Sequence, residues 1–285
     1  MTRVTIALAI PIGILSLCFL ASGCGGGATT EPTVKLKPAT LEQAQDSGSK
    51  GPDTPVSSGG KGPGNIVGQI LFDGSPPSLS PLVAKGAVVR DPEVCSANPV
   101  PNEGIVVGEN GGLANVFIFL DSAPKGYKPE GELPNVTLDQ KGCRFRPHAL
   151  LAQVGQKINI INSDNASHNT NISFVRNKIF NGTINPNDNT GVMLEPTKAE
   201  KLPVKTVCDV HAWMSCYVFV LDHPFAAVTD ENGQFEIKNL PAGKHTFRVW
   251  HESADFLERS LSVDVKAGED AKVDLKYNIS KFPKL

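Results

Sequence analysis

The sequence predicts an all-β protein, and three observations carry that expectation. Apolar and polar residues alternate with a period of two in segment after segment; a helical stripe is missing from all of them; and Gly, Pro, Asn or Asp turn chemistry bounds each one. Side chains of a strand point to opposite faces in turn, so each such segment has one face to bury. Many short strands punctuated in this way specify sandwiches or barrels.

The leader comes first and stands outside the fold. Arg3 precedes the apolar run "VTIALAIPIGILSLCFL" and the small residues "ASGC". The run contains Pro and Gly and stops short of the roughly 20 residues a spanning helix needs, so residues 1–23 read as an export signal. Ala21 to Cys24 resembles a bacterial lipobox, which implies cleavage before Cys24, lipidation of its thiol and a membrane anchor there. Residues 24–64 are dominated by Gly, Pro, Ser, Thr and Lys, too poor in large apolar side chains to offset their ordering entropy, and read as a flexible tether. About 220 residues remain to form one large or two ordinary domains.

The strand candidates then follow in order: "NIVGQILFDG", "GLANVFIFLD", "ALLAQVGQKINIIN", "HNTNISFV", "CYVFVLD", "GQFEIKNL", "KHTFRVWHE" and "SLSVDVKAGEDAKVDLKY". A boundary is expected near Asp222, giving domains at 65–222 and 223–285. Beyond it, "AVTDENGQFEIKNLPAGKHTFRVWHE" reads as strand, Asn-Gly turn, strand, Pro-Ala-Gly turn, strand. That stretch resembles the carboxypeptidase regulatory-like sandwich, a transthyretin-like fold. The fold normally opens with one more strand, and the nearest match, "GQILFDGSPP", lies far upstream. Either "CYVFVLD" serves as the missing strand or strands from the start of the chain pack beside the C-terminal unit.

The densest chemistry lies in "KTVCDVHAWMSCYVFVLD", where Cys208, His211 and Met214 stand at spacings of three. A thiolate and an imidazole on one loop suit copper or zinc, and the thioether favours a soft, redox-active ion, hence copper. Upstream, in "VGQKINIINSDNASHNTNISF", apolar alternation ends at Asn162, a polar turn follows, and His168 opens the next strand. Together the two segments resemble the cupredoxins, Greek-key blue-copper sandwiches in which a "G-x-x-V-x-x-x-N-x-D-x-x-x-H-N" run supplies the first His and a later Cys…His…Met loop the rest. The short loop is that of the amicyanins; plastocyanins and azurins carry longer ones.

The resemblance implies one mononuclear type 1 copper with His168, Cys208 and His211 in its plane and Met214 axial. It implies a bond between Asn169 and the polar residue after the Cys, here Asp209, where the family usually has Ser, Thr or Asn. It implies that His211 reaches the surface as the electron port. Trp213 either forms the apolar rim that meets partners or caps the core. The layout is similar to exported proteins labelled methylamine-utilisation-like, although no residue identifies an amine pathway.

The remaining cysteines and histidines complete the inventory. Cys95 and Cys143 are expected to form a disulfide stapling an N-terminal elaboration onto the sandwich, since an exported chain can hold one. Free thiols, or a second metal site using Cys143 and His148, are the alternatives. Cys216 is expected to be a small core residue, with an alternative sulfur ligand as the other reading, and His223, His245 and His251 to lie on surfaces or sheet faces.

Of the 27 basic residues only Arg3 lies in the leader, leaving 26 against 29 acidic ones without a long single-sign run, so nucleic acid is not an expected partner. The expected function is one-electron transfer in the periplasm or cell envelope, with a cytochrome or dehydrogenase as redox partner. Copper capture or delivery is the second reading, and a surface scaffold using the C-terminal sandwich to bind carbohydrate or protein is the third. An enzyme is not expected: four ligands saturate the ion, and no nucleophile-base pair stands out.

Overall fold

Turn punctuation and alternation translate directly into strands in the computed structural model, which describes residues 62–129 and 131–285. The leader, Cys24 and most of the expected tether lie outside the described residues. Among the described residues there are strands in four sheets, a four-residue helix Pro92–Cys95 and one 3-10 turn, and no helix is long and apolar enough to cross a membrane. The chain is all-β.

Two of the sheets form the sandwich that carries the metal-ligand motifs. One has the order Ala149–Gln153, Ser215–Leu221, Val204–Val207, His168–Ile172, Phe180–Ile184; the other runs Phe145–Arg146, Val136–Gln140, Ile158–Asn162, Val192–Leu194. Alternation decides what goes inside. Ile158, Ile160 and Asn162 of one strand are buried with partly exposed residues between them, and the two isoleucines meet Cys216, Val218 and Val220 of Ser215–Leu221 in a shared core.

The other two sheets form a second sandwich, and here the expected boundary is corrected. Pro63–Asp73 lies in the middle of a three-stranded sheet, antiparallel to Gln234–Pro241 and parallel to Asp270–Asn278 from Asn65↔Asp270 to Asp73↔Asn278. Phe117–Leu120 pairs with Ala226–Val228 and Gly243–His251 in a four-stranded sheet completed by Asp255–Val265. Of the two expected arrangements the second holds: strands from the start of the described chain pack beside the C-terminal ones, so this sandwich takes strands from both sides of the motif-bearing one in sequence. Gly68 is required at the centre of Pro63–Asp73, because a Cβ there would lie 1.8 Å from the Val273 carbonyl oxygen.

Phe117–Leu120 is an unbroken apolar run because it has no wet face. Ile118 and Leu120 enter the second sandwich's core, while Phe117 and Phe119 pack outward on Phe219 of the metal-loop strand, the Phe119–Phe219 rings meeting edge-on at 4.7 Å. Aromatic contacts of this geometry add about 0.5–1.5 kcal/mol beyond burial. They join the sandwiches within one compact unit. Between Pro63–Asp73 and Phe117–Leu120 the chain makes a long excursion whose Val83, Cys95 and Val100 are buried in the first sandwich's core. Cys95 is joined to Cys143 by a disulfide, fixing the excursion against the sandwich that carries the ligand loop.

Candidate metal centre

The ligand loop is a hairpin connection between Val204–Val207 and Ser215–Leu221, closed by antiparallel pairing at Val207↔Ser215. Inside it the Cys208 N–H donates to the Met214 carbonyl at 3.1 Å, and the Met214 N–H donates to the His211 carbonyl at 2.9 Å. These bonds turn the loop back on itself, so residues three apart in sequence share one interior. His168 comes from the neighbouring strand, since His168–Ile172 pairs with Val204–Val207 through Thr206↔Ile172 and Val207↔Asn171.

The result is a convergence of three soft or borderline donors. His168 Nδ1 lies 2.9 Å from His211 Nδ1, Cys208 Sγ lies 3.8 Å from His211 Nδ1, and all three ligand atoms fall within 4.8 Å of one another. Each of the three side chains is buried, and Met214 is buried in the same apolar cluster as Cys208. The donor set fits copper: imidazole nitrogen and thiolate serve both of its oxidation states, and a thioether beside them adds a soft, weak ligand.

The turn before His168 is held by Asn162. Its amide donates to the carbonyls of Ala166 (2.8 Å), Ile184 (3.2 Å) and Asn185 (2.9 Å), while its Oδ1 accepts from the Asp164 N–H at 3.0 Å. The turn so formed points Asp164 at His168 Nε2, 2.9 Å away. Burial opposes the ionisation of Asp164, but the His168 bond and the N–H groups of Cys143 and Gly142 outweigh it and hold the carboxyl below its usual range. Burial likewise works against a charged His168, yet hydrogen bonds to Asp164 and Cys208 raise it to about 9. For Cys208 burial favours the thiol, and bonds from His168, His211 and the Asn169 N–H overcome this and lower it to about 6. A metal-ready thiolate is thus favoured at neutral pH.

Asn169 and Asp209 meet across the two loops. The Asp209 N–H donates to Asn169 Oδ1 at 2.6 Å and Asn169 Nδ2 donates back to Asp209 Oδ2 at 2.9 Å. Asn171 and Asn181, which the sequence reading did not single out, add amide bonds to the same carboxylate, and all three asparagines hold Asp209 below its usual range. The Asp209 carboxylate is thereby matched by three amide donors.

One expectation about access is corrected. His211 is not a surface port: it is fully buried, with Nε2 3.0 Å from Asp91 Oδ2 of the excursion. Trp213 is half-buried, its ring 5.2 Å from that of His211 and its indole N–H donating to the Cys143 carbonyl at 3.3 Å. It caps the loop and also lines a cavity of about 240 Å³ with Met214, His148, Glu103 and Glu252.

The remaining candidates lie apart. Cys143 is spent in the disulfide, and His148 faces Glu252 and Glu103 rather than Cys143, so those two residues make no second metal site. Cys216 is a fully buried free thiol that burial pushes up. His251 is buried at the end of its strand and His223 is buried in a loop, whereas His245 bonds the Pro241 carbonyl near the surface.

No family model matches the sequence, and no curated protein matches it. Among solved structures the chain is similar to part of a copper-containing nitrite reductase from Thermus scotoductus SA-01, at 19% identity and TM-score 0.28, over 36% of this chain and 25% of that one. It is similar to a purple cupredoxin from Nitrosopumilus maritimus at 20% identity and TM-score 0.25, over 30% of this chain and 99% of that one. A reduced-state amicyanin variant is similar at 16% identity and TM-score 0.27, over 37% of this chain and 98% of that one.

Proposed function

We propose that the protein binds one copper ion through His168, Cys208 and His211, with Met214 as weak axial ligand, and carries single electrons between redox partners. The observation that carries this reading is the convergence of two imidazole Nδ1 atoms and a buried thiol favoured as thiolate, on a loop whose Met is buried with them. Such a ligand set satisfies cuprous and cupric ions alike, so little has to move when an electron arrives. Burial of all four side chains suits a carrier better than a catalyst, which needs a position open to substrate. The partner is a cytochrome or dehydrogenase, and lipidation at Cys24 holds the protein to the cell envelope.

The test is the optical and electron paramagnetic resonance spectrum of the full chain loaded with Cu(II). An intense blue thiolate-to-copper band with narrow hyperfine splitting, lost in Cys208→Ser, is the expected result. A colourless protein that binds Cu(I) alone overturns electron transfer in favour of copper capture or delivery.

A further inference from the structure

Both imidazoles of the centre end, at the nitrogen turned away from Cys208, on a carboxylate. His168 Nε2 meets Asp164 Oδ2 at 2.9 Å and His211 Nε2 meets Asp91 Oδ2 at 3.0 Å. Neither acid belongs to the ligand loop. Asp91 is the residue before the helix Pro92–Cys95, the position where an aspartate side chain ordinarily accepts a bond from the helix N–H groups. Here it makes no such bond: its backbone is left-handed, at φ 51° and ψ 55°, and its carboxylate is turned to His211 instead.

The two acids are also parts of one brace. The Cys95 N–H donates to the Asp91 carbonyl at 2.8 Å, Cys95 is disulfide-bonded to Cys143, and the Cys143 N–H donates to Asp164 Oδ2 at 2.7 Å. One disulfide and the two hydrogen bonds that flank it therefore link the segment of one carboxylate to the other behind the site.

Resting on the copper reading above, we infer that Asp91 and Asp164 are positioning residues, braced through Cys95–Cys143, that aim both Nδ1 atoms at Cys208 and bias the bound ion toward its cupric state. A carboxylate accepting the far N–H of a metal-bound imidazole fixes the tautomer and makes the ligand more basic, and the loss of such a partner weakens metal binding about 10–100-fold. Two nearby anions favour the ion of higher charge, so the loss falls more heavily on Cu(II) than on Cu(I). Asp91 has a second effect: with it in place His211 has no edge open to solvent.

The experiment compares the full copper-loaded chain with Asp91→Asn by redox titration. Asparagine keeps the size of the side chain and removes its charge. The expected result is a roughly tenfold shift of the Cu(II)/Cu(I) equilibrium toward Cu(I), which is about 59 mV of higher potential for a one-electron couple, with the blue band retained and Asp91→Glu restoring most of the difference. A blue variant with unchanged potential overturns the inference and leaves the copper reading standing; a wild-type chain without a blue band overturns that reading itself. Should Asp91→Asn not fold, nitrogen NMR of the wild-type Cu(I) form decides: a slowly exchanging His211 Nε2 proton supports the brace, and rapid exchange with solvent overturns it.

Discussion

The two sandwiches solve opposite problems with the same kind of strand. The second one has an apolar interior of Ile66, Ile70, Phe72, Ile118, Phe235, Phe247 and Val249, with few buried polar side chains such as Thr229 and His251. The first also buries Gln140, Asn162, Asp164, His168, Asn169, Thr170, Thr206 and His211. Polar groups out of water cost stability unless each finds a partner, so the first sandwich needs the amide cage, the carboxylates and the disulfide that the second does without. The contrast is a division of labour: one sandwich gives up apolar burial to hold a reactive cluster, and the other contributes ordinary packing through Phe117 and Phe119.

The sharpest way to break that division is at the shared ring. Phe219→Ala removes a fully buried side chain that both sandwiches touch and should cost about 3–5 kcal/mol. Denaturant unfolding followed by the copper band and by intrinsic fluorescence should show both signals shifting together; a shift of one alone would make the sandwiches independent. Next is the disulfide, which spans 48 residues. Replacing Cys95 and Cys143 together by Ser should cost about 4 kcal/mol by the loop-entropy argument, seen as a lower denaturation midpoint in the oxidised protein that reductant no longer changes.

The second sandwich has its own weakness in acid. His251 is buried with no partner at Nε2, and burial lowers it to about 4. Below about 6.5 the unfolded chain binds a proton that the folded chain refuses, so stability is intact above that pH and falls as pH drops toward 4, by about 3 kcal/mol in all. Thermal melts across that range should show the decline, and His251→Gln should flatten it. The smallest effect is expected at Asn169→Ala, which strips one of the three amide donors from Asp209 and leaves the Asp209 N–H without its acceptor. Only a small drop in the unfolding midpoint is expected, because Asp209 is exposed and water can replace the lost partner, with a perturbed rather than abolished blue band.

Much of the site was legible because its parts are local. Cys208, His211 and Met214 share one loop, and His168 carries a flanking pattern of its own, so both could be read as copper ligands without knowing how the sheets pair. The Asn169–Asp209 link followed from the same two loops. What was hidden depends on pairing between distant segments. Asp91 reaches His211 across 120 residues from an excursion with no periodicity, so nothing near either residue signals the bond. The same excursion buries the imidazole that the sequence reading placed at the surface. Pro63–Asp73 joins strands some 200 positions away, and alternation reports that a strand exists without reporting its neighbour. Asp164 stood within a recognised pattern, but its role depends on the N–H groups of Gly142 and Cys143, which only the folded turn supplies.

Copper K-edge X-ray absorption of the loaded full chain tests the centre most directly, because it counts the atoms around the ion. One copper per chain with a single short sulfur and two imidazole nitrogens is expected, the sulfur vanishing in Cys208→Ser. A shell of nitrogen and oxygen alone, or one indifferent to that substitution, would contradict a copper centre built on His168, Cys208 and His211.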